Sequence, residues 1–304
     1  MKVLLVFVDG IGLGENRSDK NPFVAYPVPL LQILFGGSPT LALGPVLSEH
    51  ACLIPTDATL GVAGLPQSAT GQTALFTGVN APAVMGMHVH AFPGPKLTKI
   101  IAEHGIMKRL TSHGYRVTSA NMYTPDYMTL VASRKRRHAA TTLTILTAGQ
   151  PLRSLEDLLA GRAIYQDITN EALIQAGWPD VVPLAPRLAG QRLVELADTQ
   201  DFTIFEYFQT DLCGHKQDWM RAAQIMNILQ EFLAGIYEAL PSDMLFVLTS
   251  DHGNFEDLST KRHTLQPVPT VLIGRQCVRL ARNIHSLADI TPVIISALET
   301  DRGR

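Results

Sequence analysis

A chain of 304 residues, 46% hydrophobic and 17% charged, has enough apolar side chains for a large core plus a second, smaller domain, and this is not the composition of a disordered polypeptide. Its 25 Lys and Arg against 27 Asp and Glu give a formal net charge of −2, which argues against a general nucleic-acid or membrane-surface binder but leaves room for a local cationic site. Cys52, Cys213 and Cys277 are odd in number, far apart and without a CxxC pair, so no disulfide framework is expected.

Residues 2–8 (KVLLVFV) form a continuous apolar run ended by Asp9-Gly10, the pattern of a buried strand in a parallel sheet. With Lys2 in front, the run resembles a secretion signal, but it is too short for an h-region and no small-residue cleavage site follows. No stretch approaches the roughly 18 apolar residues of a membrane span. The expected location is therefore cytoplasmic. Residues 15–60, rich in Pro, Gly and Asn, give no clear element. A helix is predicted over 97–112, then a turn at His113-Gly114 and a strand at 115–120.

Further strands are predicted at 203–209, 244–250 and 270–274, and helices at 187–199, 217–239 and 286–298, the last with Pro292 in its first turns. Strands alternating with helices predict an α/β fold, a doubly wound and mostly parallel sheet with helices on both faces. Residues 122–185 differ. They hold a basic knot, Arg134-Lys135-Arg136-Arg137-His138, a Thr/Leu-rich piece and short helix candidates at 154–160 and 169–176. They are predicted to form a smaller α+β cap inserted into a core made of 1–121 and 186–304.

Chemistry-bearing residues gather at predicted strand ends, where open α/β sheets place their ligands. Asp251-His252 follows the strand at 244–250, and adjacent Asp and His can face different ions; a mixed imidazole and carboxylate set suits Mn, Zn or Fe better than Ca. Asp211 and His215 lie four apart across Gly214, a spacing that can clamp one ion. His263 precedes Pro267 and Pro269, which hold the chain extended. Asp9 closes the first strand. The glycines after it suggest a dinucleotide loop, but Glu15 stands where GxGxxG needs glycine. Ser68 opens an apolar helix-like run, as an N-cap does, and the same place suits a phosphate beside free N–H groups. Taken singly, each of these residues also fits an ordinary structural role. A lone His88-Val-His90 pair reads as surface.

Together the patches resemble the alkaline phosphatase superfamily, on the branch of the cofactor-independent phosphoglycerate mutases and phosphopentomutases. The nucleophile motif S/T-x-x-G-H is matched by Ser68 to Gln72, with Gln72 in place of the histidine. The motifs D-x-x-G-H, D-H-G-N and H-T-x-x-P-V-P are matched by Asp211 to His215, Asp251 to Asn254 and His263 to Pro269. Leu287 to Pro292 is similar to that family's closing helix. The resemblance covers roughly residues 1–85 and 187–300, and the insert matches poorly. One fragment, Gly161 to Thr169, is similar to a stretch that in those mutases lies just after the nucleophile, so no role is carried to it here. The x-P-x-R pattern of sulfatases is absent after Ser68.

The resemblance implies two divalent metal ions, Mn or Zn foremost and Mg or Fe as alternatives. Asp211, His215 and His263 would bind one; Asp9, Ser68, Asp251 and His252 would surround the other, with Ser68 as the phosphoryl-accepting catalytic residue. Gln67, Arg134, Arg136 and Arg137 are candidate substrate contacts, since arginine grips phosphate bidentately. The expected activity is phosphoryl transfer on a small phosphorylated metabolite through a phosphoserine, as a phosphatase, a phosphomutase or a phosphodiesterase. A non-catalytic metal- or phosphate-binding relative is the alternative from another class. The chain is expected to act without nucleic acid or membrane, as a monomer or simple homo-oligomer.

Overall fold

In the computed structural model, which describes residues 1–302, seven strands form one sheet. They are β1 (Lys2–Val8), β2 (Val46–Leu47), β3 (Ala51–Thr56), β4 (Val117–Ser119), β5 (Phe202–Tyr207), β6 (Met244–Thr249) and β7 (Val268–Ile273), in the order β2-β3-β7-β6-β1-β5-β4. β1 lies at the centre, parallel to β5 with Val3 opposite Phe202 and parallel to β6 with Val3 opposite Leu245. β4 continues the parallel block beside β5. β7 runs antiparallel to β6, and β3 antiparallel to β7.

Two expectations change here. The run at 270–274 belongs to an antiparallel strand, which an apolar stretch buried on both faces does not distinguish from a parallel one. The unplaced region 15–60 also supplies β3, whose Pro55 had hidden it, together with the short helices Pro22–Ala25 and Pro29–Phe35.

The strict alternation of β1 splits the core. Leu4, Val6 and Val8 face the helices Pro186–Asp198 and Trp219–Ala239, through Leu193, Val194, Leu229 and Phe232. A Cβ on Gly190 would lie 2.2 Å from the Phe232 carbonyl oxygen, and one on Gly235 2.0 Å from that of Arg187, so only glycine permits these two helices to pack this closely. Val3, Leu5 and Phe7 face the other layer, made of Ser68–Thr77, Pro95–His104, Ile106–Ser112 and Ile290–Arg302. The predicted helix at 97–112 is broken at Gly105.

Segment 122–185 carries helices Pro125–Ala132, Ala140–Thr147, Leu155–Leu159 and Glu171–Gln175, and its β content is limited to isolated bridges such as Asn121 to Ile164. Met122, Leu158, Ala163 and Leu173 form a small core of their own, while Ala140 and Ile145 join the second layer of the main one. Among the described residues no helix is long and apolar enough to cross a membrane.

Candidate active site

Strand direction assembles the site. β1, β5 and β6 all end at the same edge, so Asp9, Asp211 and the pair Asp251-His252 emerge there. β3 points the same way and leads through the loop 57–67 to Ser68. β7 points oppositely, so its beginning lies at this edge and the residues before it deliver His263. Asp211 and His215 sit on one face of the helix Gln209–Lys216, four residues apart. Sequence spacing had suggested a turn there and one helix over 217–239, where a separate helix, Trp219–Ala239, follows.

All seven predicted residues meet. Ser68 Oγ is 3.0 Å from His252 Nε2, which is 3.4 Å from Asp9 Oδ1 and 3.6 Å from Asp251 Oδ2. The His252 and His263 rings stack with centroids 3.7 Å apart. His215 Nε2 lies 3.4 Å from Asp211 Oδ2, and His263 Nε2 lies 3.7 Å from Asp211 Oδ1. Ser68 is the first residue of its helix and Gln67 is the N-cap, so the serine hydroxyl is not consumed by capping.

Backbone carbonyls behind two of the imidazoles fix their tautomers. His215 Nδ1 donates to the Lys261 carbonyl at 2.7 Å, and His263 Nδ1 donates to the Pro66 carbonyl at 2.8 Å. In the neutral rings both Nε2 atoms are therefore lone pairs, and they face each other at 3.2 Å beside the Asp211 carboxylate, which raises His215 above the ordinary imidazole range. Asp9 Oδ1 and His252 Nδ1 are buried with no hydrogen-bond partner among the described residues.

Electrostatics agree. Burial, and then Asp251, push the Asp9 carboxyl well above the usual carboxylate range, and burial with Asp211 raises Asp251. Burial lowers His252 and His263 to about 4, keeping both imidazoles neutral. Burial would raise Asp211 too, but the bond from His215 and the nearby imidazoles hold it down at about 2. Buried carboxylates facing one another and bare imidazole nitrogens form a donor set that fits divalent cations. Asp211, His252 and His263 form one such group, and Asp9, Asp251 and His252 another, with ligand atoms within 4.8 Å of one another in each.

Four residues that the sequence had not marked as functional support this centre. Gln72, buried where the family motif has histidine, donates from Nε2 to Asp251 Oδ2 at 3.1 Å and to Asp9 Oδ2 at 3.3 Å. Asn254 Nδ2 donates to Asp211 Oδ1 at 2.9 Å. Glu256, fully buried, accepts the backbone N–H of Gly12 at 2.8 Å and of Asn254 at 2.7 Å, and also the Thr264 hydroxyl. Glu206, near the end of β5, opens onto the cleft beside the centre, and burial raises its carboxyl to about 7.

That cleft has a volume of about 400 Å³ and runs from Asp9 and Ser68 to segment 122–185. Arg136 and Arg137 line it, whereas Arg134 and Gln67 are not part of the lining. Tyr165 and Gln166, from the fragment given no role in the sequence, also reach it.

Residues 187–302 match the model of the Metalloenzyme superfamily. The 2,3-bisphosphoglycerate-independent phosphoglycerate mutase of Natronomonas pharaonis is 31% identical over 128 residues, covering 38% of this chain and 25% of its own length. The enzyme of that name from Ectopseudomonas mendocina is 24% identical over 245 residues, covering 71% of this chain and 48% of its own. The chain thus spans half or less of the length of these curated relatives. The fold is shared with the PH0037 protein from Pyrococcus horikoshii at TM-score 0.57 and 14% identity, over 98% of this chain and 96% of that one. It is shared too with a cold-active alkaline phosphatase from the psychrophile Shewanella sp., at TM-score 0.51 and 13% identity, over 98% and 100%. Residues 187–302 thus carry the match to the Metalloenzyme superfamily, and the chain as a whole shares the fold of an alkaline phosphatase. The insert between residues 122 and 185 lies outside the region matched by the family model.

Proposed function

We infer that this protein is a member of the alkaline phosphatase superfamily and a metal-dependent phosphoryl-transfer enzyme acting on a small phosphate ester through Ser68. The observation that carries the reading is the convergence of the His215 and His263 Nε2 atoms, 3.2 Å apart, beside Asp211. Without a cation or a proton between them, such an arrangement of lone pairs and carboxylate is repulsive, and a divalent ion satisfies all three groups at once.

Asp211, His215 and His263 would hold one divalent ion, and Asp9, Asp251 and His252 the other, with Ser68 at its side. Mn or Zn suits this mixed oxygen and nitrogen set. When bound, such ions offset charge on a phosphoryl group and favour ionisation of a neighbouring hydroxyl. Ser68 Oγ bonds to phosphorus as the ester P–O bond breaks, and the alcohol leaves. The first-turn N–H groups of the helix that Ser68 opens favour the phosphate's negative charge. Arg136 and Arg137 supply guanidiniums from segment 122–185, which covers the cleft as a cap and restricts water. Transfer of the phosphoryl group from Ser68 to water makes the enzyme a phosphatase; return to the same alcohol skeleton makes it a mutase. Phosphatase activity is the form we favour.

The test is turnover of p-nitrophenyl phosphate by protein supplied with Mn²⁺ or Zn²⁺. Activity that disappears on chelation and in Ser68→Ala supports the reading. Tight metal binding with no turnover across sugar phosphates, phosphoglycerates and diesters would replace it with a metal-binding, non-catalytic relative.

A further inference from the structure

Five aromatic rings, Phe92, Tyr123, Tyr127, Tyr165 and Phe208, line the cleft beside Ser68. Three of them are held by one another or by cations. Tyr123 and Tyr127 lie with centroids 5.1 Å apart, the Arg136 guanidinium sits 5.1 Å over Tyr127, and that of Arg137 sits 5.5 Å over Phe92. Stacked in this way, the guanidiniums keep their N–H edges for an anion, and neither forms an ion pair among the described residues.

The polar groups of the lining are mostly spent on the protein itself. Asn121 donates to the Glu206 carbonyl and accepts from the Glu206 N–H, both at 2.8 Å. Tyr127 Oη pairs with His138 Nδ1 at 2.8 Å, Tyr123 Oη with Thr142 at 3.2 Å, and Gln166 donates to Tyr165 Oη at 3.1 Å. Glu206 is the exception. It is 8% exposed, opens into the cleft and has no basic side chain against it among the described residues; its one polar neighbour is the Thr141 hydroxyl, which leaves the carboxyl acceptor capacity for a ligand.

A cleft of this kind is poorly matched to a small polyol, which needs many free polar partners, or to a phosphorylated acid, whose carboxylate would meet Glu206. It matches a flat ring that stacks on tyrosine and phenylalanine and carries an N–H or O–H group for the buried carboxyl. Resting on the phosphoryl-transfer reading, we propose that the substrate is a phosphate ester of a ring-bearing alcohol, with a nucleoside monophosphate as its representative, and that Glu206 selects it by accepting a hydrogen bond from the ring and rejecting carboxylates. A site built around an acceptor discriminates against ligands that leave it unpaired.

Binding, measured calorimetrically on Mn²⁺-supplied Ser68→Ala protein to prevent turnover, tests the proposal with adenosine 5′-monophosphate, ribose 5-phosphate, 3-phosphoglycerate and inorganic phosphate. The nucleotide should bind at least tenfold tighter than either of the other two esters. Adding Glu206→Gln should narrow the gap to phosphoglycerate at least fivefold. Phe92→Leu, which leaves Glu206 in place, should weaken the nucleotide at least fivefold more than it weakens inorganic phosphate. Equal or tighter binding of ribose 5-phosphate or phosphoglycerate, or nucleotide binding indifferent to both variants, overturns the proposal. If wild-type protein hydrolyses p-nitrophenyl phosphate while the esters fail to separate, only the ring-binding cleft falls. Neither hydrolysis nor binding of any phosphate ligand would remove the phosphoryl-transfer reading and the cleft proposal together.

Discussion

Glu256 accepts the backbone N–H of Gly12 at 2.8 Å, joining the loop after β1 to the loop after β6 across 244 residues of sequence. The same carboxylate accepts from Asn254 and from Thr264, the neighbour of His263. One buried side chain thus registers three loops that carry Asp9, Asp251-His252 and His263.

Removing it should cost both stability and metal. Glu256→Ala leaves buried N–H groups at Gly12 and Asn254 unpaired, at roughly 1–3 kcal/mol each. Metal affinity should fall on the order of 10- to 100-fold, the usual scale when groups that orient metal ligands are lost. Thermal unfolding of metal-free protein and calorimetric Mn²⁺ titration read the two effects separately. An unchanged titration would mean that the loops register without Glu256.

Gly214→Ala tests the neighbouring contact. A Cβ there would lie 2.3 Å from Asn254 Oδ1, and Asn254 is fully buried and donates to Asp211. The amide must shift and release Asp211, so metal affinity should drop on the order of tenfold, while helix propensity alone favours alanine. Unaltered affinity would show that the Asn254 bond does not orient Asp211.

Asp9→Asn should have opposite signs in two states. Metal-free, it removes a buried carboxyl that burial and the neighbouring Asp251 hold well above its ordinary range, so the melting temperature should rise, by roughly 1 kcal/mol or more in stability. With Mn²⁺, the variant should lose most of the stabilisation that a bound ligand confers, about 2.7 kcal/mol at 100 times its dissociation constant. Paired melting curves with and without metal decide it. A fall in both states would mean that Asp9 is chiefly structural.

Glu206 gives the pH prediction. Its folded carboxyl titrates at about 7 against an ordinary 4.5 because burial disfavours the charge. Between these values the unfolded chain loses its proton first, so this group's contribution is favourable below pH 4.5 and is lost as pH rises through 7. Glu206→Gln should therefore stabilise the metal-free protein at pH 8 by a few kcal/mol more than at pH 4.5, since each tenfold change in proton affinity is worth about 1.4 kcal/mol. A pH-independent difference in urea midpoints would contradict the buried, unpaired carboxyl.

The parts of this molecule that were legible in sequence are those where one chemical requirement dominates locally. β1 reads as a strand because every side chain from Val3 to Val8 is buried, and Asp9, Asp251, His252 and His263 stand out because they interrupt or flank such runs. β3 was not legible, since Pro55 interrupts a short run whose other side chains are all buried. Glu206 and Glu256 were missed because an acid inside an apolar run, or two places beyond a motif, gains meaning only from what faces it. The direction of β7 is set by pairing with β6 and β3, information that the strand does not carry in its own residues.

The most direct test of the central claim is acid quench of Mn²⁺-supplied protein during turnover of p-nitrophenyl phosphate, followed by peptide mass spectrometry. The account predicts a phosphoryl group on Ser68, absent after chelation and in His215→Ala. Turnover that proceeds with Ser68 unmodified, and that survives in Ser68→Ala, would contradict it.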